Sequence, residues 1–157
     1  MGKKIEDWKR VKDAVHTHCV DFINERLKRV QLHILELEHA LTSETKSSAG
    51  DKHETGRAMI QLEREKLGQQ LSELEKTQQL FARVPKDRNT KTIGLGNLVV
   101  TETLMYYIAI SAGECIVQKQ SVYCISAVSP IGQLLMDKSV GYKMTFNGKT
   151  ATILGIY

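Results

Sequence analysis

The sequence predicts an α+β protein in which an N-terminal antiparallel helical coiled-coil hairpin precedes a small antiparallel β domain with one short helix. Three observations point to this class. Composition shifts at Val84-Pro85, from a part rich in Lys, Glu, Gln and Leu to one dominated by Val, Ile, Thr, Tyr and Gly. The first part carries two apolar seams at alternating steps of three and four. The second carries short apolar or alternating runs of strand type. Domains of 1–84 and 85–157 are therefore expected.

Ile5, Trp8, Val11 and Val15 fall at helical spacing, so the first helix starts early or follows a separate short helix. The basic residues among them suit one solvated face better than a membrane surface. Val20, Ile23, Leu27, Val30, Ile34, Leu37 and Leu41 form a heptad seam, which predicts a long helix with an arm of roughly 30 Å. The pattern resumes at Ile60, Leu67, Leu71, Leu74 and Phe81, with Arg64 and Gln78 at intervening seam positions. It stops at Pro85, which disfavours helix in the residue before it. Two seams of similar length joined by a Ser/Ala/Gly connector bury each other only by folding back. The connector, about 46–56, is the tip.

Within the tip, Asp51 and Glu54 stand three positions apart, and this spacing has two readings. As a capping box, Asp51 accepts from an orphan amide at the helix start while Glu54 reaches back. As a pair of hard oxygen donors, they suit a magnesium ion, which keeps several waters and takes one or two carboxylates.

In the second part, IGLGNLVVTE, TLMYYIAIS, SVYCISA, YKMTFNG and TATILGIY read as strands. Asn147-Gly148 predicts a hairpin turn, since both central residues need positive φ. Ser129-Pro130 before IGQLLM reads as the cap and first residue of a short helix.

The 157 residues suffice for a real core, and the net charge of +4 permits contact with nucleic acid without demanding it. No apolar run approaches the about 20 residues of a membrane span, and the basic start lacks the apolar segment of a secretory signal, so a cytoplasmic location without membrane contact is expected. Cys19, Cys115 and Cys124 are odd in number and lack C-x-x-C spacing, which predicts free thiols. His16-Thr17-His18-Cys19 lies in expected helix, where adjacent residues do not face one another, so it predicts no zinc site. His33 and His39 are expected on solvated faces.

Gly50-Asp51-Lys52-His53-Glu54 at the tip, Ile125-Ser126-Ala127-Val128-Ser129-Pro130-Ile131-Gly132-Gln133-Leu134-Leu135, the loop Lys138-Ser139-Val140-Gly141 and the closing Ile153-Leu154-Gly155-Ile156-Tyr157 together resemble the Gre family of bacterial transcript cleavage factors. The resemblance implies an FKBP-like second domain and binding to RNA polymerase core, with the hairpin in the secondary channel and the second domain on its rim. It implies that Asp51 and Glu54 share a catalytic Mg2+ with the polymerase. Gly50, Lys52, His53 and Arg57 would shape the tip, and Ser129, Pro130, Ile131 and Gly132 would touch the rim. The polymerase itself would then cleave the 3′ end of backtracked RNA, the factor being an accessory with no cofactor of its own. The chain departs from the family at Thr55-Gly56-Arg57-Ala58 and at Tyr142. Two alternatives stand beside this reading: a channel-binding regulator or inhibitor of the same shape without cleavage stimulation, and a coiled-coil protein-interaction module whose tip acids only cap a helix.

Overall fold

The computed structural model describes residues 5–46 and 50–157, with side chains for 7–43 and 54–157. The expected architecture is present: a helical hairpin and a β domain with a short helix. Helix α1 runs Ile5–Lys46 and α2 runs Gly50–Ala82. Strands β1 (Leu98–Thr101), β2 (Met105–Ala109), β3 (Gly113–Val117) and β4 (Gln120–Ser126) follow, then α3 (Pro130–Leu135), β5 (Lys143–Phe146) and β6 (Lys149–Ile156). The early apolar stripe therefore belongs to one continuous helix and not to a separate one. Two compact units result, Ile23–Gln79 and a second comprising Met1–Phe22 with Leu80–Tyr157. The composition boundary at Val84-Pro85 falls inside the latter.

In the unit Ile23–Gln79 the seam organises burial. Ile23 and Leu67 are buried, and Leu27, Val30, Ile34, Leu37, Leu41, Ile60, Leu71 and Leu74 are half-buried, whereas Leu32, Leu35, Met59 and Leu62, off the seam, are exposed. The helices run in opposite directions: Glu38 of α1 pairs with Arg64 of α2 at 2.8 Å, while the earlier Arg26, Arg29 and Val30 share a groove with the later Lys66, Gln70 and Leu74. Arg64 thus occupies its seam position by carrying its charge outward to a carboxylate. Both partners are half exposed, so the pair contributes about 0–1 kcal/mol.

The other unit is built on a six-stranded sheet in the order β3-β4-β2-β1-β6-β5. The sequence predicts an antiparallel sheet; the sheet is mixed, because β2 and β4 pair in parallel, Tyr107 opposite Cys124. Strand β3 is an addition to the predicted set. It pairs with β4 through a two-residue turn, Gln118-Lys119, in which both residues have positive φ (51° and 65°). The predicted Asn147-Gly148 turn between β5 and β6 has the same form, with φ of 51° and 75°.

Both faces of the sheet are covered at β2, which is why this strand reads as an unbroken apolar run with every residue buried. Successive side chains alternate between faces. Tyr106 and Ile108 join Ile93, Val99, Leu135, Met144 and Ile153 in a core beneath α3. Tyr107 points the other way, where its hydroxyl lies 3.1 Å from His16 Nδ1 of α1. Trp8, Val11, Val15 and Cys19 are buried along the same stripe of α1, with Trp8 stacked on Tyr157 at 4.8 Å between ring centroids.

Candidate functional site

The tip is the first candidate. Residues 47–49 lie outside the described residues, as do the side chains of Gly50, Asp51, Lys52 and His53. What the backbone shows is that α2 already includes Gly50 and Asp51. Asp51 is therefore an in-helix residue of the first turn and not the non-helical residue a capping box requires. Positions 51 and 54 are neighbours on the helix surface, being three apart. Glu54 is exposed, and Arg57, three positions further, is half-buried with an interaction of its own. The helix start carries partial positive charge, which favours carboxylates there.

The loop before α3 is the second candidate, and its four predicted residues divide. Ser129, extended at φ −66° and ψ 158°, caps α3: its Oγ accepts from the Gly132 N–H at 3.1 Å and donates to the Ser126 carbonyl at 2.6 Å. Pro130 is exposed at the first helical position, where its missing N–H costs nothing. Ile131 is half-buried against the core beneath α3. Gly132 is buried, and a Cβ there would collide with the Ser126 carbonyl oxygen. Only Pro130 of the four thus presents itself outward. Exposed apolar side chains flank the helix in sequence: Val128, 78% exposed, before it, and Val140 and Tyr142 after it. Lys138 Nζ sits 4.8 Å above the Tyr142 ring, a cation–π arrangement. Val128 and Val140 were not singled out as candidates from the sequence, where a lone valine beside a helix cap carries no periodicity to mark it.

His16, His18 and Cys19 of α1 serve packing, whereas His33 and His39 are exposed as expected. His16 stacks near Phe81, 4.6 Å between centroids, and His18 Nε2 lies 2.9 Å from the Ala112 carbonyl, so the two diverge to separate partners. No group of three or more His, Cys, Asp or Glu side chains converges among the described residues. Cys19, Cys115 and Cys124 are all buried free thiols. A hydrogen bond from the Cys124 S–H to Cys19, together with burial, holds the Cys124 thiol far above its usual range, so it stays protonated. Burial likewise raises the Tyr107 hydroxyl.

Burial, helped by the nearby Lys86 cation and opposed by Asp13, holds the His16 imidazole below its ordinary range. The fold therefore prefers neutral His16, while the unfolded chain takes up a proton near pH 6.5. In the window below that value the unfolded state binds more protons, so stability rises with pH. His16 supports the full stability above pH 6.5, and that support falls away as pH drops toward the lowered folded value. Urea midpoints between pH 7.5 and 5 are expected to decline in the parent and to decline less in His16→Gln. An unchanged slope in the variant would assign the pH dependence to other groups.

A helical hairpin followed by a β domain whose short helix is capped by Ser-Pro defines the class of fold. No family model and no curated protein matches the chain. Among solved structures, one of the transcription factor Gfh1 is similar over 86% of this chain and 90% of its own, at 20% sequence identity and a TM-score of 0.34. Among the described residues, no helix is long and apolar enough to cross a membrane.

Proposed function

We infer that the chain is a Gre-type accessory factor that enters the secondary channel of RNA polymerase and stimulates the polymerase's own cleavage of backtracked RNA. The observation that carries this reading is the placement of positions 51 and 54 side by side at the turn end of an antiparallel hairpin, with Glu54 exposed. An arm so built delivers carboxylates to a distant site and offers no nucleophile of its own. One or two carboxylates do not enclose a hard cation, so the tip adds ligands to a Mg2+ whose remaining partners belong to the polymerase and the RNA. A second metal in phosphoryl transfer stabilises the attacking and leaving oxygens, so strengthening its hold raises the rate. The residues that would hold it are Asp51 and Glu54.

Docking on the channel rim falls to the surface around Pro130 and Val128, which is apolar and exposed. Ser129, Gly132 and Ile131 support that surface from within, by capping, close approach and packing. The deciding experiment adds the protein to a stalled, backtracked elongation complex and follows transcript length. Shortening beyond the intrinsic rate is expected. Binding to polymerase core without shortening would select the non-cleaving regulator, and absence of binding would leave the interaction module.

A further inference from the structure

Between the start of α1, the segment 86–89 and the end of β6 lies a cleft of about 430 Å³, within the size range of small-ligand sites. Its lining is unusual in charge. Lys9 and Lys12 come from α1, Lys86 and Arg88 from the segment after Pro85, and Asp13 and Asp87 are the carboxylates among them. Four basic side chains against two acidic ones leave a cationic excess that suits an anion.

Two of these cations are held in place before any ligand arrives. Lys12 is only 7% exposed, and its Nζ donates to the Tyr157 carbonyl at 3.2 Å. Burial penalises the ammonium, and desolvation lowers the Lys12 pKa against the pull of Asp87 and Asp13. An anion in the cleft would offset that cost. Arg88 donates from Nε to Thr90 Oγ1 at 3.1 Å, and its guanidinium lies over Gly94, where a side chain would displace it. A planar fork fixed in this way suits bidentate contact with a tetrahedral oxyanion better than a mobile lysine does. Asn89 adds an amide to the rim, and the stacked rings of Trp8 and Tyr157 form the apolar wall.

We propose that this cleft binds a phosphate group, carried either by a free polyphosphate such as that of a nucleotide or by a nucleic-acid backbone. The site is independent of the tip and of the function inferred from it. Trp8 is the single tryptophan of the chain and lines the cleft, so its emission reports occupancy directly.

The full-length protein is titrated at low salt with pyrophosphate and, separately, with a single-stranded oligonucleotide lacking terminal phosphates, following Trp8 fluorescence. The titrations are repeated with Lys86→Ala/Arg88→Ala, whose side chains lie outside the core. Saturable change with pyrophosphate is the result for a free ligand, and change with the oligonucleotide alone is the result for a backbone source. Whichever probe binds, the double variant should bind at least about tenfold more weakly, with unchanged far-ultraviolet circular dichroism. Should the variant lose its helical signal, Lys9→Ala, at an exposed rim position, replaces it with the same expectation of weakened binding. The proposal is overturned if neither probe changes Trp8 emission up to millimolar concentration, or if folded variants bind as the parent does.

Discussion

A chain carrying both Asp51→Asn and Glu54→Gln is expected to bind RNA polymerase core with parental affinity and to lose most of its stimulation of transcript cleavage. The amide oxygens keep the size of the carboxylates but ligate a hard cation poorly, so under the proposed function the shared Mg2+ would be less firmly held. Weakening both tip ligands impairs a step in which the metal would supply several kcal/mol of charge stabilisation, and a rate loss of about 100-fold or more is the expected scale. Stability should move by less than about 1 kcal/mol, since Asn and Gln also serve helix starts well and surface changes are small. Transcript shortening in a backtracked complex, measured beside a binding assay, separates the outcomes. Full cleavage by the double variant would remove Asp51 and Glu54 from the chemistry.

The second large effect is structural. Leu67→Asp should destabilise the hairpin by about 3–5 kcal/mol, because a carboxylate replaces a side chain that is only 5% exposed and leaves a buried charge without a partner. Leu62→Asp, five residues earlier on the exposed face, should stay within about 0.5 kcal/mol of the parent. Urea unfolding followed by helical circular dichroism gives both numbers. Equal stability of the two variants would mean that the seam does not carry the hairpin.

The hairpin was legible because burial follows a period that sequence displays directly: Leu67 and Ile23 fall on it, Leu62 and Leu32 fall off it, and exposure agrees in each case. The β domain was legible where local chemistry fixes the backbone. Asn147-Gly148 announces its turn, and Ser129-Pro130 announces its helix. Strand β3 escaped notice because its turn uses Gln118-Lys119, residues that pay a steric cost at positive φ and therefore give no turn signal. The parallel pairing of β2 with β4 is invisible in MYYIA, since a strand buried on both faces has no alternation to tell one neighbour from another.

The candidate sites divide along the same line. Asp51 and Glu54 stand at a fixed spacing on one element, so their proximity follows from helix geometry alone. Ile131 illustrates the opposite case: its place in a short motif leaves rim contact and core packing equally open, and the structure packs it against the core beneath α3. Lys12 and Arg88 are brought to one cleft from segments far apart in the chain, and only tertiary structure assembles them.

The pairing of Lys12 with the Tyr157 carbonyl joins positions 145 residues apart. Because synthesis runs from the N-terminus, the stripe of Trp8, Val11, Val15 and Cys19 leaves the ribosome long before the strands that cover it. The hairpin, whose contacts lie between neighbouring helices, has all its partners much sooner. For the interval between, a greasy helical face stands open in the nascent chain, and that interval is when chaperones have a surface to hold.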